Sequence, residues 1–313
     1  MKDNIKKKKK SSGKDVILNV LLVMFLCIFI FSAVYLFNYY YKSYKNEKKV
    51  DHLHDLITKN ETKEGEKKAS ESDADLYIVT SDGKRILKKY KDIYELNHDF
   101  IGWLKIDGTA IDYPVVYTPE DEQEYLRLDF EKNYLIAGTL FLSAKSVPEK
   151  PGNNMIIYGH NMKNGTMFSD VLSYKDESFY KTHKYIDFGT IYFENKYEVV
   201  AAFKINVNND GFDYYNHSGV LSEEEFNNYI ENCSKLSEYQ FDSKAKYNDE
   251  LITLSTCDSY GSHEGNRFVV VAKKIKWKVP AVGLEPTRGY PQQILSLHRL
   301  PFRHAGGTIT ILP

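Results

Sequence analysis

The chain has 313 residues, 42% hydrophobic and 27% charged, a composition that excludes a wholly disordered protein. Its formal net charge of -1 leaves no overall basic field, so nucleic acid is not an expected partner. This near-neutral total conceals a local asymmetry at the N-terminus.

Lys6 to Lys10 form a basic block, followed by an almost wholly apolar run from Val16 to Phe37. About 22 residues give a helix of roughly 33 Å, enough to cross a bilayer core. A cleaved leader has a shorter apolar core, of about 7–15 residues, and Ser32-Ala33-Val34 is a poor cleavage site. Residues 1–15 therefore read as a cytoplasmic tail and 16–37 as an uncleaved transmembrane anchor. The lysines on the N-terminal side place the C-terminal domain outside the cell. Residues 38–75 turn polar, with Lys, Glu and Ser dense from Thr58 to Asp75, and read as a solvated stalk, part of it helical. His52 and His54 lie in this stalk without Cys or carboxylate partners at ligand spacing, so no metal is expected.

A folded domain is expected over residues 76–276. Tyr90 to Asp99 reads as a short helix with Ile93, Leu96 and Phe100 as its apolar stripe. Strand-like runs follow at 101–106, 110–117, 138–142, 154–158, 190–193, 197–205, 251–257 and 267–276, most of them separated by polar turns that carry glycine. Leu221 to Leu236 has helical spacing, as an insertion in one long connection. Many short strands with few helices predict a mainly β fold, a closed or nearly closed barrel. Residues 277–313 contain no lysine after Lys278 and hold five of the nine prolines, so this segment reads as an atypical tail outside the fold.

Three runs end on chemistry. One closes on Cys257, one opens on Arg267, and one, Asn154 to Gly159, leads into His160. Rigid scaffolds hold catalytic groups at such strand ends. A thiol is a strong nucleophile only as thiolate, and a neighbouring imidazolium stabilises that anion. A guanidinium keeps its charge at physiological pH and can donate to a developing oxyanion. If the last two strands form a hairpin, Cys257 and Arg267 face each other across it. The bland readings are a disulfide between Cys257 and Cys233, a turn histidine at 160, and a surface ion pair of Arg267 with Asp258 or Glu264. Cys233 falls with Phe226 and Ile230 on one helical face, which favours packing over a disulfide. His263 is the competing base, in a loop between glycines. Phosphate-binding glycine motifs and a Gly-x-Ser-x-Gly elbow are absent, and no cofactor is expected.

At these residues the chain resembles the sortases, specifically class B. Tyr158-Gly159-His160-Asn161-Met162, Thr253-Leu254-Ser255-Thr256-Cys257 and Arg267 to Ala272 carry the resemblance, supported by Asn97 to Leu104 and Ile111 to Val116. It spans roughly residues 76–276. It implies a closed eight-stranded barrel with peripheral helices, an extra helix before the cysteine strand, His160 as general acid/base, Cys257 as nucleophile and Arg267 as oxyanion or substrate stabiliser. By the same comparison Ser255 and Thr256 would line the substrate groove.

The implied reaction is transpeptidation. Cys257 would attack the carbonyl after Thr in a C-terminal sorting signal resembling Asn-Pro-x-Thr-Asn/Gly or Pro-x-Thr-Gly. An amine on peptidoglycan or a lipid-linked precursor would then resolve the thioester, and the partners would be surface proteins bearing the signal. Two alternatives stand beside this reading. An L,D-transpeptidase is disfavoured because its Ser-x-Gly-Cys-x-Arg string is unmatched at Ser255 to Ser259. A catalytically inactive anchored binding module is disfavoured by the intact Cys, His and Arg set.

Overall fold

The computed structural model describes residues 13–65, 76–149, 154–258 and 265–276. The basic block Lys6–Lys10, His263 and the 277–313 tail lie outside these residues.

Helix α1 runs unbroken over Gly13–Gly65. No Pro or Gly interrupts it between its two terminal glycines, so nothing in the sequence breaks the backbone ladder. Its N-terminal half is the one helix among the described residues that is long and apolar enough to cross a membrane. The small strands β1 (Tyr77–Val79) and β2 (Arg85–Leu87) form a separate hairpin, followed by the short helix α2 (Lys91–Leu96). Asn97 then turns extended, and its side chain accepts from the Asp99 N–H at 2.9 Å. Such side-chain competition ends helices, which is why α2 is shorter than the apolar spacing predicts.

The barrel is built from β3 (Phe100–Lys105), β4 (Asp112–Val116), β5 (Leu140–Leu142), β6 (Asn154–Tyr158), β7 (Tyr185–Thr190), β8 (Lys196–Asn206), β9 (Leu251–Cys257) and β10 (Asn266–Ile275). Helix α3 (Glu177–Thr182) precedes β7. The strands close in the order β10-β8-β7-β3-β4-β5-β6-β9, and β9 pairs back onto β10. The expected eight-stranded closed barrel is therefore present. β4–β5 and β6–β9 are parallel pairs, and the other neighbours are antiparallel. One expected strand is misplaced. Residues 191–193 belong to the turn after β7, in which Thr190 and Phe193 exchange backbone hydrogen bonds. The strand lies upstream, where Gly189 interrupts its apolar run. A Cβ on Gly102 would lie 2.2 Å from the Gly189 carbonyl oxygen, so these glycines let β3 and β7 approach.

Inward alternation fills the barrel with Leu104, Val115, Ile157, Phe188, Val199, Leu254, Val270 and their neighbours. A second cluster covers the outer face of β8, β9 and β10. There Phe203, Leu251, Val269 and Val271 pack under α4 (Glu223–Leu236) through Phe226, Tyr229 and Cys233. A reciprocal Ser222–Glu225 capping box starts α4, where the expected inserted helix lies. Cys233 is a free, buried packing residue.

The segment read as a solvated stalk needs correction. α1 continues through it, and Val50, Leu53 and Ile57 are buried in the barrel's own core cluster. These positions follow the i, i+3, i+7 spacing of an amphipathic helix. Polar contacts flank the stripe. Lys49 Nζ lies 2.9 Å from Asp129 and 2.6 Å from Glu131, and Lys89 Nζ lies 2.7 Å from Glu61. The folded unit thus begins on α1, well before Leu76.

Candidate active site

Cys257 ends β9, and Arg267 is its direct cross-strand partner on β10. Paired residues of an antiparallel ladder share a face. Leu251, Val269 and Val271 fix that face as the outer one, so Cys257 and Arg267 stand together on the outside of the barrel at one rim. The hairpin needed for this juxtaposition is present, and its loop includes Asp258, whose N–H donates to the Asn266 carbonyl.

His160 reaches the same rim by a second route. β6 runs parallel to β9 with Tyr158 opposite Ser255, and the Gly159 N–H extends the ladder to the Ser255 carbonyl at 3.2 Å. Continuing this register sets His160 level with Cys257. Asn161 Nδ2 then donates to the Cys257 carbonyl at 3.2 Å and ties the two strand ends together. Gly159 permits the close passage: a Cβ there would lie 2.4 Å from Leu140 Cδ2 and 2.7 Å from the Phe168 ring.

His160 Nε2 lies 2.9 Å from the Leu126 carbonyl oxygen. A carbonyl can only accept, so Nε2 carries hydrogen and Nδ1 is the nitrogen left for proton exchange. Burial lowers the His160 pKa below the usual imidazole value, and the Arg127 charge adds to this. The Leu126 hydrogen bond opposes it without reversing the direction. The resting imidazole is therefore biased toward its neutral form.

The polar surroundings of Cys257 include a residue that the sequence did not single out, Tyr214. Tyr214 and Ser255 are bonded through their hydroxyls at 2.7 Å, on the Cys257 side of β9. Burial raises the Tyr214 hydroxyl above the usual phenol range, while the Ser255 hydrogen bond and the Arg267 charge oppose that rise. Asn161 lay inside a quoted motif, but nothing in one sequence marks it as the contact to Cys257. Tyr214 lies in a polar connection more than forty residues upstream of Cys257 and carries no local signal.

Ser255 and Thr256 do not behave as a pair of groove residues. Both are 2% exposed. Ser255 shares the face of Cys257, with its hydroxyl engaged by Tyr214. Thr256 points to the opposite face, paired with Phe268 of the barrel core, and its Oγ1 is buried without a partner. Strand alternation places only one of two consecutive residues beside the Cys257 thiol.

Asp258 does not neutralise Arg267. It pairs with Lys175 and, at 2.6 Å, with Lys204. Burial would raise its pKa, but the hydrogen bonds from the two lysines outweigh this and hold the carboxyl below its ordinary value. Arg267 itself donates to the Asn266 carbonyl at 3.1 Å. Cys257 is a free thiol, half-buried, which excludes the disulfide alternative. Among the described residues no three His, Cys, Asp or Glu side chains converge as a metal-binding group. The rim brings together a thiol, an imidazole and a guanidinium, groups of the kind that acyl transfer through a covalent intermediate uses.

The Sortase domain model matches residues 104–275. Sortase B of Staphylococcus aureus is 29% identical over 199 residues, which cover 64% of this chain and 80% of that protein. Among solved structures, a Staphylococcus aureus sortase B–substrate complex superposes with a TM-score of 0.63 at 24% identity, covering 75% of this chain and 98% of that one. A sortase B complexed with triglycine gives 0.62 at 25% identity, covering 74% and 98%.

Proposed function

Because this chain belongs to the sortase family and is a cysteine transpeptidase of the sortase B type, we propose that Cys257, His160 and Arg267 carry its reaction, on proteins bearing a C-terminal sorting signal. The observation that carries this reading is the Cys257–Arg267 register, with the His160 loop tied to the Cys257 carbonyl through Asn161.

In this reading the Cys257 thiol gives its proton to His160 Nδ1, and the sulfur attacks the carbonyl carbon of the signal's Thr. Negative charge develops on the carbonyl oxygen beside Arg267, where a guanidinium can donate to it. The carbon–nitrogen bond breaks as the imidazolium returns the proton to the leaving amine, and a thioester remains on Cys257. An incoming amine attacks that thioester, loses its proton to His160 and expels the thiolate. The neutral resting imidazole suits this order, since it must first accept a proton and only then donate one.

The signal is taken to resemble Asn-Pro-x-Thr-Asn/Gly or Pro-x-Thr-Gly, and the acceptor to be an amine on peptidoglycan or its lipid-linked precursor. The substrate and triglycine complexes of sortase B support a peptide donor and a glycine-type amine. The apolar half of α1 supports a single-pass membrane anchor, and the Lys6–Lys10 block on its N-terminal side supports a barrel outside the cell.

The test is cleavage of a panel of sorting-signal peptides, with mass spectrometry of the acyl-enzyme. Cys257→Ala should abolish cleavage and the adduct, while Arg267→Lys should keep binding and lose most turnover because the planar donor fork is gone. Wild-type cleavage by Cys257→Ala would end the assignment. Full activity in His160→Ala would move the proton-carrier role to another group, with His263 the first to examine.

A further inference from the structure

α1 does more than tether the barrel, because it fixes the barrel's height. Ser43 accepts a hydrogen bond from Asn164 at 2.7 Å, and Tyr113 reaches Glu47 at 3.3 Å. Farther along, the His54 ring lies tilted against Trp103, and Asn60 donates to Asp92 at 3.1 Å. The helix therefore runs along the barrel from the His160 side toward α2. Ser43 lies only six positions beyond Phe37, the end of the apolar run. At 1.5 Å per residue that is about 9 Å, little more than the thickness of one headgroup layer, about 5–8 Å.

At this low end a cleft of ≈ 220 Å³ lies between the two elements, lined by Tyr35, Asn38, Tyr39 and Lys42 on α1 and by Ile136 and Met162 on the barrel side. Tyr35 is within the apolar run, so Ile136 stands at the depth of residues belonging to the membrane boundary. Ile136 is 40% exposed and Tyr134 66%. Their loop is pinned: Leu135 N–H donates to the Arg127 carbonyl at 2.9 Å, Gly138 N–H to the Leu135 carbonyl at 3.1 Å, and the Arg127 guanidinium to the Ile136 carbonyl. Ile136 thus projects from a braced loop at the level where aromatic and apolar groups partition into the bilayer interface, and exposed Tyr134 stands two residues before it in the same loop. Exposed Lys42, which lines the same cleft as Ile136, and exposed Lys45, three residues farther along α1, match anionic headgroups.

We propose that the 133–137 loop is a second membrane contact, inserting Tyr134 and Ile136 into the anionic headgroup layer beside the anchor. The proposal rests on the membrane-anchor reading, and the two are separable by experiment. The full chain carrying Cys27→Ser and Cys257→Ala is reconstituted in phosphatidylglycerol–phosphatidylethanolamine vesicles, with buried Cys233 left in place. Tyr35→Cys, Tyr134→Cys and Leu96→Cys are each added singly and given a nitroxide label. Leu96, exposed on α2, reports the far end of the barrel.

Collisions with a water-soluble nickel chelate should be lost at Tyr134, as at Tyr35, and retained at Leu96. Chelate access at Tyr134 equal to that at Leu96, with Tyr35 still protected, would overturn the proposal and leave the anchor reading intact. Full access at Tyr35 would remove both.

Discussion

Leu53→Ala with Ile57→Ala tests whether α1 is part of the folded unit. Both side chains are 6% exposed and lie in the same cluster as the barrel core. Large-to-Ala changes at buried sites cost about 2–5 kcal/mol each. Here the helix lies on the barrel's outside and can settle inward, so the lower part of that range applies, about 4–6 kcal/mol for the pair. For a domain of this size each kcal/mol lowers Tm by about 2–4 °C, so the pair should lower it by about 8–24 °C. Trp103 is a built-in reporter, 7% exposed and 5.4 Å from the His54 ring between centroids. Thermal and urea unfolding of the full chain in detergent micelles, followed by tryptophan fluorescence and far-UV dichroism, gives the readout. Asp55→Ala, on the exposed side of the same helix, is the control and should stay within about 0.5 kcal/mol. If the double variant melts within about 2 °C of the parent, the stripe contributes nothing and α1 is a stalk after all.

Tyr214→Phe should cost about 1–3 kcal/mol by leaving the buried Ser255 hydroxyl unpaired, and adding Ser255→Ala should recover part of the loss in a double-mutant cycle. His160 has a depressed pKa, so the unfolded chain binds more protons at that site. The associated stability is complete above the unfolded value near 6.5 and is lost as pH falls through the folded one. Arg127→Gln removes a charge that contributes to the depression. The His160 ring resonance should then titrate at higher pH by NMR, and the urea midpoint should fall less steeply between pH 8 and 5; an unmoved titration would contradict the electrostatic account. In a Cys27→Ser background, a thiol reagent should modify Cys257 rapidly and Cys233 only on unfolding, because burial raises the Cys233 thiol far above its usual range. Two fast-reacting equivalents in the native protein would refute the placement of Cys233 inside α4's packing face.

The strands that carry chemistry were legible because their signals are local. Asn154 to Tyr158, Leu251 to Cys257 and the run from Arg267 are short apolar β-rich segments bounded by polar turns, and the structure puts strands there. The hairpin register followed from their spacing. Two kinds of information were not local. The stripe Val50, Leu53, Ile57 is diluted by charged neighbours, and it becomes a buried face only because the barrel supplies its other half. Tyr214 reaches the Cys257 side of β9 through a long connection, which a pattern confined to a few residues cannot report. Ser255 and Thr256 show the opposite failure: adjacency in sequence suggested a shared role, and strand alternation separates them.

The barrel's strand order also has a consequence for biogenesis. β9 lies between β6 and β10, and its first pairing joins Leu251 to Asn154, about a hundred residues earlier. Pairings of such long sequence separation form late and slowly. Synthesis must therefore deliver the C-terminal hairpin before the Cys257 thiol meets the His160 imidazole and the Arg267 guanidinium. A nascent or truncated polypeptide ending before Arg267 would hold the thiol without the guanidinium, so under the proposed roles acyl transfer would switch on only when closure of the cylinder is complete.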